Sequence, residues 1–251
     1  MDHASEPERG RLAAVDALVK RLEARLGGLF ERIRSVAEAA GRPGSEIQLI
    51  AVTKYATAIE TSAVGRALER LERPVLLGES RVQDLSQKIA ALSGEELAVH
   101  WEMIGSIQRN KSRAALRQAS RIHSLDRDDI IRRLSAQAVE EDRVVAGLIQ
   151  VNISGEAAKH GYLPDRVGAA LELASSLPAI RIQGLMGMAA RGSTHDSARP
   201  AFASLRELKE RLAPALPHLS MGMSQDYVGA IKEGATLLRV GSALFASEEI
   251  E

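Results

Sequence analysis

One lysine stands directly after an apolar run of five residues. Leu49-Ile50-Ala51-Val52-Thr53 predicts a short buried strand, and Lys54 follows it at once. Such a lysine either extends its amine into solvent or keeps it partly desolvated at the end of the strand. Desolvation disfavours the charged amine, and an uncharged amine is a nucleophile that can form a Schiff base. Lys54 taken alone fits the solvated interpretation better.

Small and hydroxyl residues follow two apolar runs near the C-terminal end. Gly241-Ser242 follows the run 237–240, and Ser224 follows Met221-Gly222-Met223. We expect Ser224 to begin a helix, where a serine caps free N–H groups that also attract anions. Loops after the last two strands of a β/α barrel often bind phosphate. Both segments could equally be ordinary turns.

An arginine lies inside the last apolar run. Arg239 is flanked by Leu237-Leu238 and Val240, and arginine is seldom buried without a partner. The residue therefore forms a salt bridge inside the fold or contacts a heteroaromatic nitrogen of a bound cofactor.

Eight short runs of β-branched or apolar residues alternate with stretches of helical spacing. Strands separated by helices of this length predict parallel pairing, and eight of them favour closure into a barrel. The predicted fold is α/β, a single (β/α)8 TIM-type barrel. The predicted strands span residues 47–53, 75–77, 99–104, 121–124, 144–152, 180–188, 218–221 and 236–240, and the clearest helices span 59–71, 128–139, 167–174 and 202–212.

The chain before the first strand predicts a disordered arm over residues 1–10 and a long extra helix over residues 11–40. Apolar residues recur there at steps of three and four. A coiled-coil seam is one interpretation, although Leu18 and Phe30 broaden the stripe towards a core-facing helix. Little chain follows the eighth strand, so this helix is expected to cover a gap in the outer ring. Residues 11–251 are then one domain.

Composition excludes several classes of function. The 33 basic and 33 acidic side chains cancel, which leaves no global field for nucleic acid or an anionic membrane. Cysteine is absent, which excludes disulfides and thiolate chemistry. The six histidines show no metal-ligand spacing, so no metal site is expected. No apolar run approaches the roughly 20 residues of a membrane span, and residues 1–10 do not resemble a secretory signal. A cytoplasmic protein is expected.

One basic cluster is present. We expect residues 109, 113, 117 and 121 of this cluster to form a stripe on one helix face, which is either solvated or in contact with RNA, although no aromatic residues interleave for base stacking. The cluster comprises Arg109, Lys111, Arg113, Arg117 and Arg121.

Several motifs in order along the chain carry a family resemblance. The sequence resembles the pyridoxal phosphate homeostasis proteins, barrel-only relatives of the alanine racemase N-terminal domain, from about residue 45 to residue 246. The matching motifs are Ala51-Val52-Thr53-Lys54, Leu77-Gly78-Glu79, Ile104-Gly105-Ser106-Ile107-Gln108-Arg109-Asn110-Lys111, Val151-Asn152-Ile153-Ser154-Gly155-Glu156 with Lys159-His160-Gly161, Gly184-Leu185-Met186, Leu219-Ser220-Met221-Gly222-Met223-Ser224-Gln225-Asp226 and Arg239-Val240-Gly241-Ser242.

The resemblance implies a pyridoxal 5′-phosphate (PLP) site. It implies that Lys54 forms the internal aldimine, that Arg239 faces the pyridine nitrogen, and that Ser224, Gly241 and Ser242 hold the phosphate. Met223 and Ser80 complete the expected cofactor-binding set.

Two positions depart from the family pattern. Ser80 replaces the usual Asn and is too short to reproduce an amide contact. Glu102 and Met103 follow Trp101, where the family has His and an aromatic residue, so Glu102 brings an acidic group near the third strand.

The expected role is intracellular PLP homeostasis: carrying and buffering the cofactor, as a monomer, and delivering it to apoenzymes. No catalytic residue is expected, since Arg239 only donates hydrogen bonds and so keeps the pyridine nitrogen neutral. The resemblance implies that racemases of this fold draw a second base from another domain, and this sequence stops at Glu251. Tyr55 is expected to point away from Lys54, while Tyr162 and Tyr227 stay open as bases. A low-activity amino-acid racemase is the main alternative, and an RNA-associated scaffold is the third.

Overall fold

Eight parallel strands form a closed barrel in the order of the sequence, and the eighth pairs with the first. The computed structural model describes residues 6–156 and 160–245. This confirms the predicted fold and all eight predicted strands. The strands are β1 Gln48–Val52, β2 Val75–Glu79, β3 Val99–Met103, β4 Arg121–Leu125, β5 Val145–Val151, β6 Ile180–Gly187, β7 His218–Ser220 and β8 Leu237–Val240.

Helices connect the strands and surround the barrel. Thr57 caps the first of these connecting helices, because its hydroxyl accepts from Glu60 N while the Glu60 carboxylate accepts from Thr57 N. None of the helices in the described ranges is long and apolar enough to cross a membrane. The helices are α1 Glu6–Ala39, α2 Ala58–Arg70, α3 Val82–Leu92, α4 Ser112–Gln118, α5 Asp128–Glu140, α6 Val167–Ser175, α7 Arg199–Leu212, α8 Tyr227–Lys232 and α9 Ser242–Phe245.

The strands bury two different faces. Outward side chains pack with the helices in the main core, and a small apolar cluster that includes Ile50, Leu76 and Leu237 fills part of the barrel interior. Residues two apart on a strand share a face, so Arg239 faces the interior with Leu237. The interior therefore contains both an apolar layer and a charged one.

The long helix α1 covers the gap beside the last strand. It buries Val19, Leu22 and Leu26 in the main core, and Arg25 Nη1 donates to the carbonyl of Leu244 in α9 at 3.0 Å. This agrees with the core-facing interpretation and not with a separate coiled-coil seam.

Helix α1 begins earlier than expected, at Glu6. The prediction of a disordered arm is therefore wrong for residues 6–10, while residues 1–5 lie outside the described part of the chain. Proline is tolerated in the first helical turn, whose N–H groups have no partner within the helix, so Pro7 does not delay the start.

The predicted basic stripe on one helix is wrong. Helix α4 spans only Ser112–Gln118, and Arg121 already belongs to β4. Arg113 and Arg117 each lie 2.9 Å from the Glu141 carboxylate, which follows α5. These arginines therefore join neighbouring elements, and the observation that suggested an RNA-contacting face is lost.

Candidate functional site

The expected site residues follow four neighbouring strands at one end of the barrel. Lys54 follows β1, and Gly241-Ser242 follows β8, which pairs with β1 through Ala51 and Val240. Ser224 follows β7 and Ser80 follows β2, the next strands on either side. Because parallel strands share their C-terminal edge, barrel closure brings together residues that lie almost 190 positions apart in sequence.

Lys54 lies in a turn beyond β1. The strand ends at Val52, and the lysine side chain is exposed, which agrees with the solvated interpretation that the residue alone favoured. Its Nζ lies 5.1 Å from the centroid of the Tyr55 ring. The expectation that Tyr55 points away is therefore wrong, because strand alternation does not extend into the turn. Among the described residues, no carboxylate pairs with Lys54.

A buried cluster holds Thr53, the residue before this lysine. The Thr53 hydroxyl donates to Glu79 Oε1 at 2.6 Å, and Lys88 Nζ donates to the Thr53 carbonyl at 2.5 Å. Lys88 Nζ also pairs with Glu79 Oε1 at 2.5 Å. The Glu79 side chain is completely buried, and its Oε2 has no partner among the described residues. Thr53 directly after β1, Glu79 on β2 and Lys88 on α3 thus fix the backbone from which Lys54 departs.

Sequence reasoning assigned no role to Glu79 or Lys88. A usable signal was present, since two charged residues occupy positions that the pattern of their elements buries. Charged residues are almost never fully buried unless they are paired, so either residue predicts a partner.

The segments after β7 and β8 contact each other. Ala243 N donates to Ser224 Oγ at 3.4 Å. Helix α8 begins at Tyr227, so the prediction that Ser224 opens a helix is wrong. Met223 N instead donates to Asp226 Oδ1 at 2.6 Å, because the aspartate closes a turn before the helix.

Glycines lie where β7 and β8 leave the barrel, and a side chain at either position would be crowded. A Cβ on Gly241 would lie 3.0 Å from the Val52 carbonyl oxygen. Gly222 has φ +94°, and a Cβ there would lie 2.6 Å from Ala230 Cβ. At Gly222 and Gly241 the backbone is therefore not covered by a side chain.

Arg239 is buried without a carboxylate partner. Its Nη1 donates to Ser220 Oγ at 2.5 Å and its Nη2 donates to the Gly187 carbonyl at 3.0 Å. Burial lowers the pKa of Arg239 to about 10, which leaves the guanidinium charged at neutral pH. The Asp226 carboxylate favours the charged form of Arg239 from a distance, but within the described ranges no carboxylate forms a salt bridge with it, so the salt-bridge interpretation is wrong.

Glu102, the departure from the family pattern, lies inside the barrel. Its carboxylate accepts two hydrogen bonds from Arg121, at 2.9 Å each, and one from the His123 ring at 2.8 Å. Burial opposes ionisation, but the hydrogen bonds from His123 and Arg121 outweigh it and hold the pKa of Glu102 below its ordinary value. Burial lowers the pKa of His123 despite the facing carboxylate. Glu102 is thus an anion and His123 a neutral ring at neutral pH.

The two tyrosines left open by the sequence are both engaged. Tyr162 Oη donates to Asp128 Oδ1 at 2.7 Å, and burial together with this carboxylate raises the pKa of Tyr162. Tyr227 is buried, with its ring 5.6 Å from the His195 ring. Neither phenol is placed as a ready base. Lys159, from one of the resemblance motifs, lies outside the described residues.

The fold and this set of residues define a β/α barrel that brings polar side chains and glycines together at the C-terminal ends of its strands. A family model described as "Alanine racemase, N-terminal domain" matches residues 25–249. The pyridoxal phosphate homeostasis protein of Pseudomonas aeruginosa is 39% identical over 218 residues, covering 87% of this chain and 92% of that protein. The one from Aquifex aeolicus is 35% identical over 229 residues, covering 90% and 97%. The chain belongs to the family of pyridoxal phosphate homeostasis proteins.

A solved relative has the same architecture. The structure of PipY from Synechococcus elongatus PCC7942 with PLP bound has a TM-score of 0.74 and 32% sequence identity, and the match covers 90% of this chain and all of that one.

Proposed function

We propose that this chain binds PLP and acts in its homeostasis, storing the cofactor and delivering it to apoenzymes. Lys54 attaches the cofactor covalently, Arg239 faces the ring nitrogen, and Ser224, Gly241 and Ser242 hold the phosphate. The observation that carries the proposal is that barrel closure places the ends of β7, β8 and β1 side by side. The names of the curated relatives and the PLP-bound state of PipY support it.

The buried guanidinium fits a heteroaromatic ring. Arg239 is a cation whose assigned partners are a hydroxyl and a carbonyl, both neutral. Arginine carries five N–H donors and no acceptor, so donors remain for a ligand. A neutral ring nitrogen is an acceptor of the required kind.

The loop backbone fits a phosphate. Ala243 N donates to Ser224 Oγ, so a hydroxyl after β7 and a backbone N–H in the first turn of α9 are neighbours. Gly241 leaves the adjoining backbone uncovered. Hydrogen bonds to a charged group contribute about 1.5–3 kcal/mol each. Met223, in the segment after β7, and Ser80, directly after β2, complete the proposed lining.

The same residues favour a carrier over an enzyme. PLP, when bound, supplies an aldehyde and an electron-withdrawing ring. Arg239 cannot give up its proton at ordinary pH, so it holds the ring nitrogen unprotonated and limits electron withdrawal. Tyr162 already donates to Asp128, which leaves it unsuited to accept a proton from a substrate. We therefore assign no catalytic residue, and we take the protein to be a cytoplasmic monomer.

The test is the visible absorption spectrum of the purified protein with PLP. We expect a band that shifts on borohydride reduction, with the label mapped to Lys54. Lys54→Ala should lose the band, whereas Lys232→Ala, which changes an exposed lysine of α8, should keep it. Circular dichroism checks that both variants fold. No band in the unaltered protein would refute PLP binding, and a label on another lysine would refute the site.

Transfer is measured separately. The loaded protein is mixed with a PLP-dependent apoenzyme, and recovery of that enzyme's activity is compared with free PLP at equal concentration. Failure to transfer would count against delivery and leave binding intact.

A further inference from the structure

We propose that Glu102, His123 and Ser220 form a directed line of hydrogen bonds that positions Arg239. This inference rests on the proposed function only for the identity of the ligand group that Arg239 faces. The line itself is a property of the barrel interior and involves no residue that was expected to bind the cofactor except Arg239.

The line crosses the barrel from β3 to β8. Glu102 Oε2 lies 2.8 Å from His123 Nε2, and His123 Nδ1 lies 2.9 Å from Ser220 Oγ. Ser220 Oγ lies 2.5 Å from Arg239 Nη1. All four residues are at most 4% exposed, so no bulk solvent competes with these contacts.

The two ends of the line determine which group donates and which accepts in each hydrogen bond. Arg239 can only donate, so Ser220 Oγ accepts from it and must send its own proton to His123 Nδ1. An ionised Glu102 can only accept, so His123 carries its proton on Nε2. One arrangement satisfies all four groups, and it requires the neutral histidine and anionic glutamate that burial and pairing produce.

The line holds a guanidinium whose hydrogen bonds go to a hydroxyl and a carbonyl rather than to a carboxylate, although Asp226 favours its charged form from a distance. A long flexible side chain has many rotamers, and holding one of them costs conformational entropy. Ser220 and the Gly187 carbonyl restrain the two terminal nitrogens of the guanidinium. Two hydrogen bonds from Arg121 in turn hold the Glu102 carboxylate in place. The end of the line farthest from Arg239 is therefore fixed. Both partners of Arg239 are neutral, which leaves its charge available to a ligand.

Ser220→Ala tests the line by removing the hydroxyl that joins His123 to Arg239. We expect PLP to bind at least tenfold more weakly. Ser220→Thr keeps a hydroxyl and should restore most of the affinity. The matched control is Ser124→Ala, which deletes an equally buried hydroxyl whose 2.6 Å hydrogen bond to the Gly105 carbonyl is not in the line. It should change binding less than threefold.

A PLP analogue with carbon in place of the ring nitrogen separates positioning from general loosening. If Ser220 acts through Arg239 and that nitrogen, Ser220→Ala should weaken PLP much more than the analogue. Equal loss for both ligands would overturn the inference, as would wild-type affinity in Ser220→Ala. Failure of the unaltered protein to bind PLP would instead refute the proposed function.

The proton arrangement is tested without any cofactor. Nitrogen-15 NMR of the histidine side chains, assigned with His123→Gln, should show His123 protonated on Nε2 and unprotonated on Nδ1. The opposite tautomer, or a doubly protonated ring at neutral pH, would overturn the line even if PLP binds well.

Discussion

Replacing Lys88 should lower the free energy of unfolding more than replacing any exposed charged residue. The Glu79 carboxylate is fully buried, Lys88 Nζ is its cationic partner at 2.5 Å, and Oε2 has no other partner among the described residues. Lys88→Met keeps most of the aliphatic volume but leaves a buried charge uncompensated. Breaking a buried pair in this way costs about 3–5 kcal/mol.

The magnitude converts into a measurable melting shift. For a chain of this size each kcal/mol lowers the Tm by about 2–4 °C, so Lys88→Met should lower it by roughly 6–20 °C. Thermal unfolding of the cofactor-free protein, followed by circular dichroism, measures this. The double variant Glu79→Gln/Lys88→Met removes both charges and should recover part of the loss.

An exposed pair in the same protein supplies the control. Lys20 pairs with Asp16 at 3.0 Å, but their side chains are 70% and 46% exposed. Surface pairs contribute about 0–1 kcal/mol, so Lys20→Met should barely change the Tm. A Lys88→Met shift as small as that of Lys20→Met would refute the claim that Lys88 compensates the buried carboxylate. So would a double variant less stable than Lys88→Met.

Three other outcomes are expected. Ser224→Ala or Ser242→Ala should weaken the binding of PLP roughly ten- to hundred-fold, because each lost hydrogen bond to a charged group contributes about 1.5–3 kcal/mol. The binding of pyridoxal, which has no phosphate, should hardly change. Equal losses in titrations with both ligands would show that these hydroxyls do not contact the phosphate. Deuterium incorporation from heavy water into alanine should not exceed the free-PLP rate, and rapid washout from both enantiomers would favour the racemase alternative. Burial lowers the pKa of His218 from 6.5 to about 4, so the unfolded chain binds a proton that the folded chain rejects. The free energy of unfolding should therefore fall as the pH drops from about 6.5 to about 4, and His218→Asn should flatten that slope in urea titrations; an unchanged slope would contradict the assignment to His218.

The barrel was predictable because its strands are buried on both faces. Parallel strands covered by helices form short, nearly continuous apolar runs, such as Leu76-Leu77 and Leu237-Leu238. The same logic placed Lys54 and Gly241 at neighbouring strand ends, since a closed barrel pairs its first and last strands.

Two predictions failed because a contact with a residue elsewhere in the fold outweighed the local sequence pattern. Arg121 has helical spacing from Arg117, yet it is the first residue of β4. Its guanidinium donates hydrogen bonds to the buried Glu102 carboxylate. Ser224 resembles a helix cap, but Asp226 closes a turn first.

The interior line could not be predicted from the sequence. It depends on which side chains of β3, β4, β7 and β8 meet across the barrel, and that depends on strand register. His123 and Ser220, almost a hundred positions apart, approach to 2.9 Å only in the closed fold. No spacing rule links such residues.

The seam between β1 and β8 has a consequence for synthesis of the protein. Helix α1 is synthesised before α8 and α9, yet its apolar stripe contacts both of these helices. Until β8 emerges, that stripe has only part of its partner surface, and such exposed segments favour aggregation in nascent chains. Contacts between distant segments also slow folding. Closing the seam completes the burial of α1 and brings Gly241 beside the end of β1 in one event, so the nascent chain acquires the proposed ligand site only when the barrel is complete.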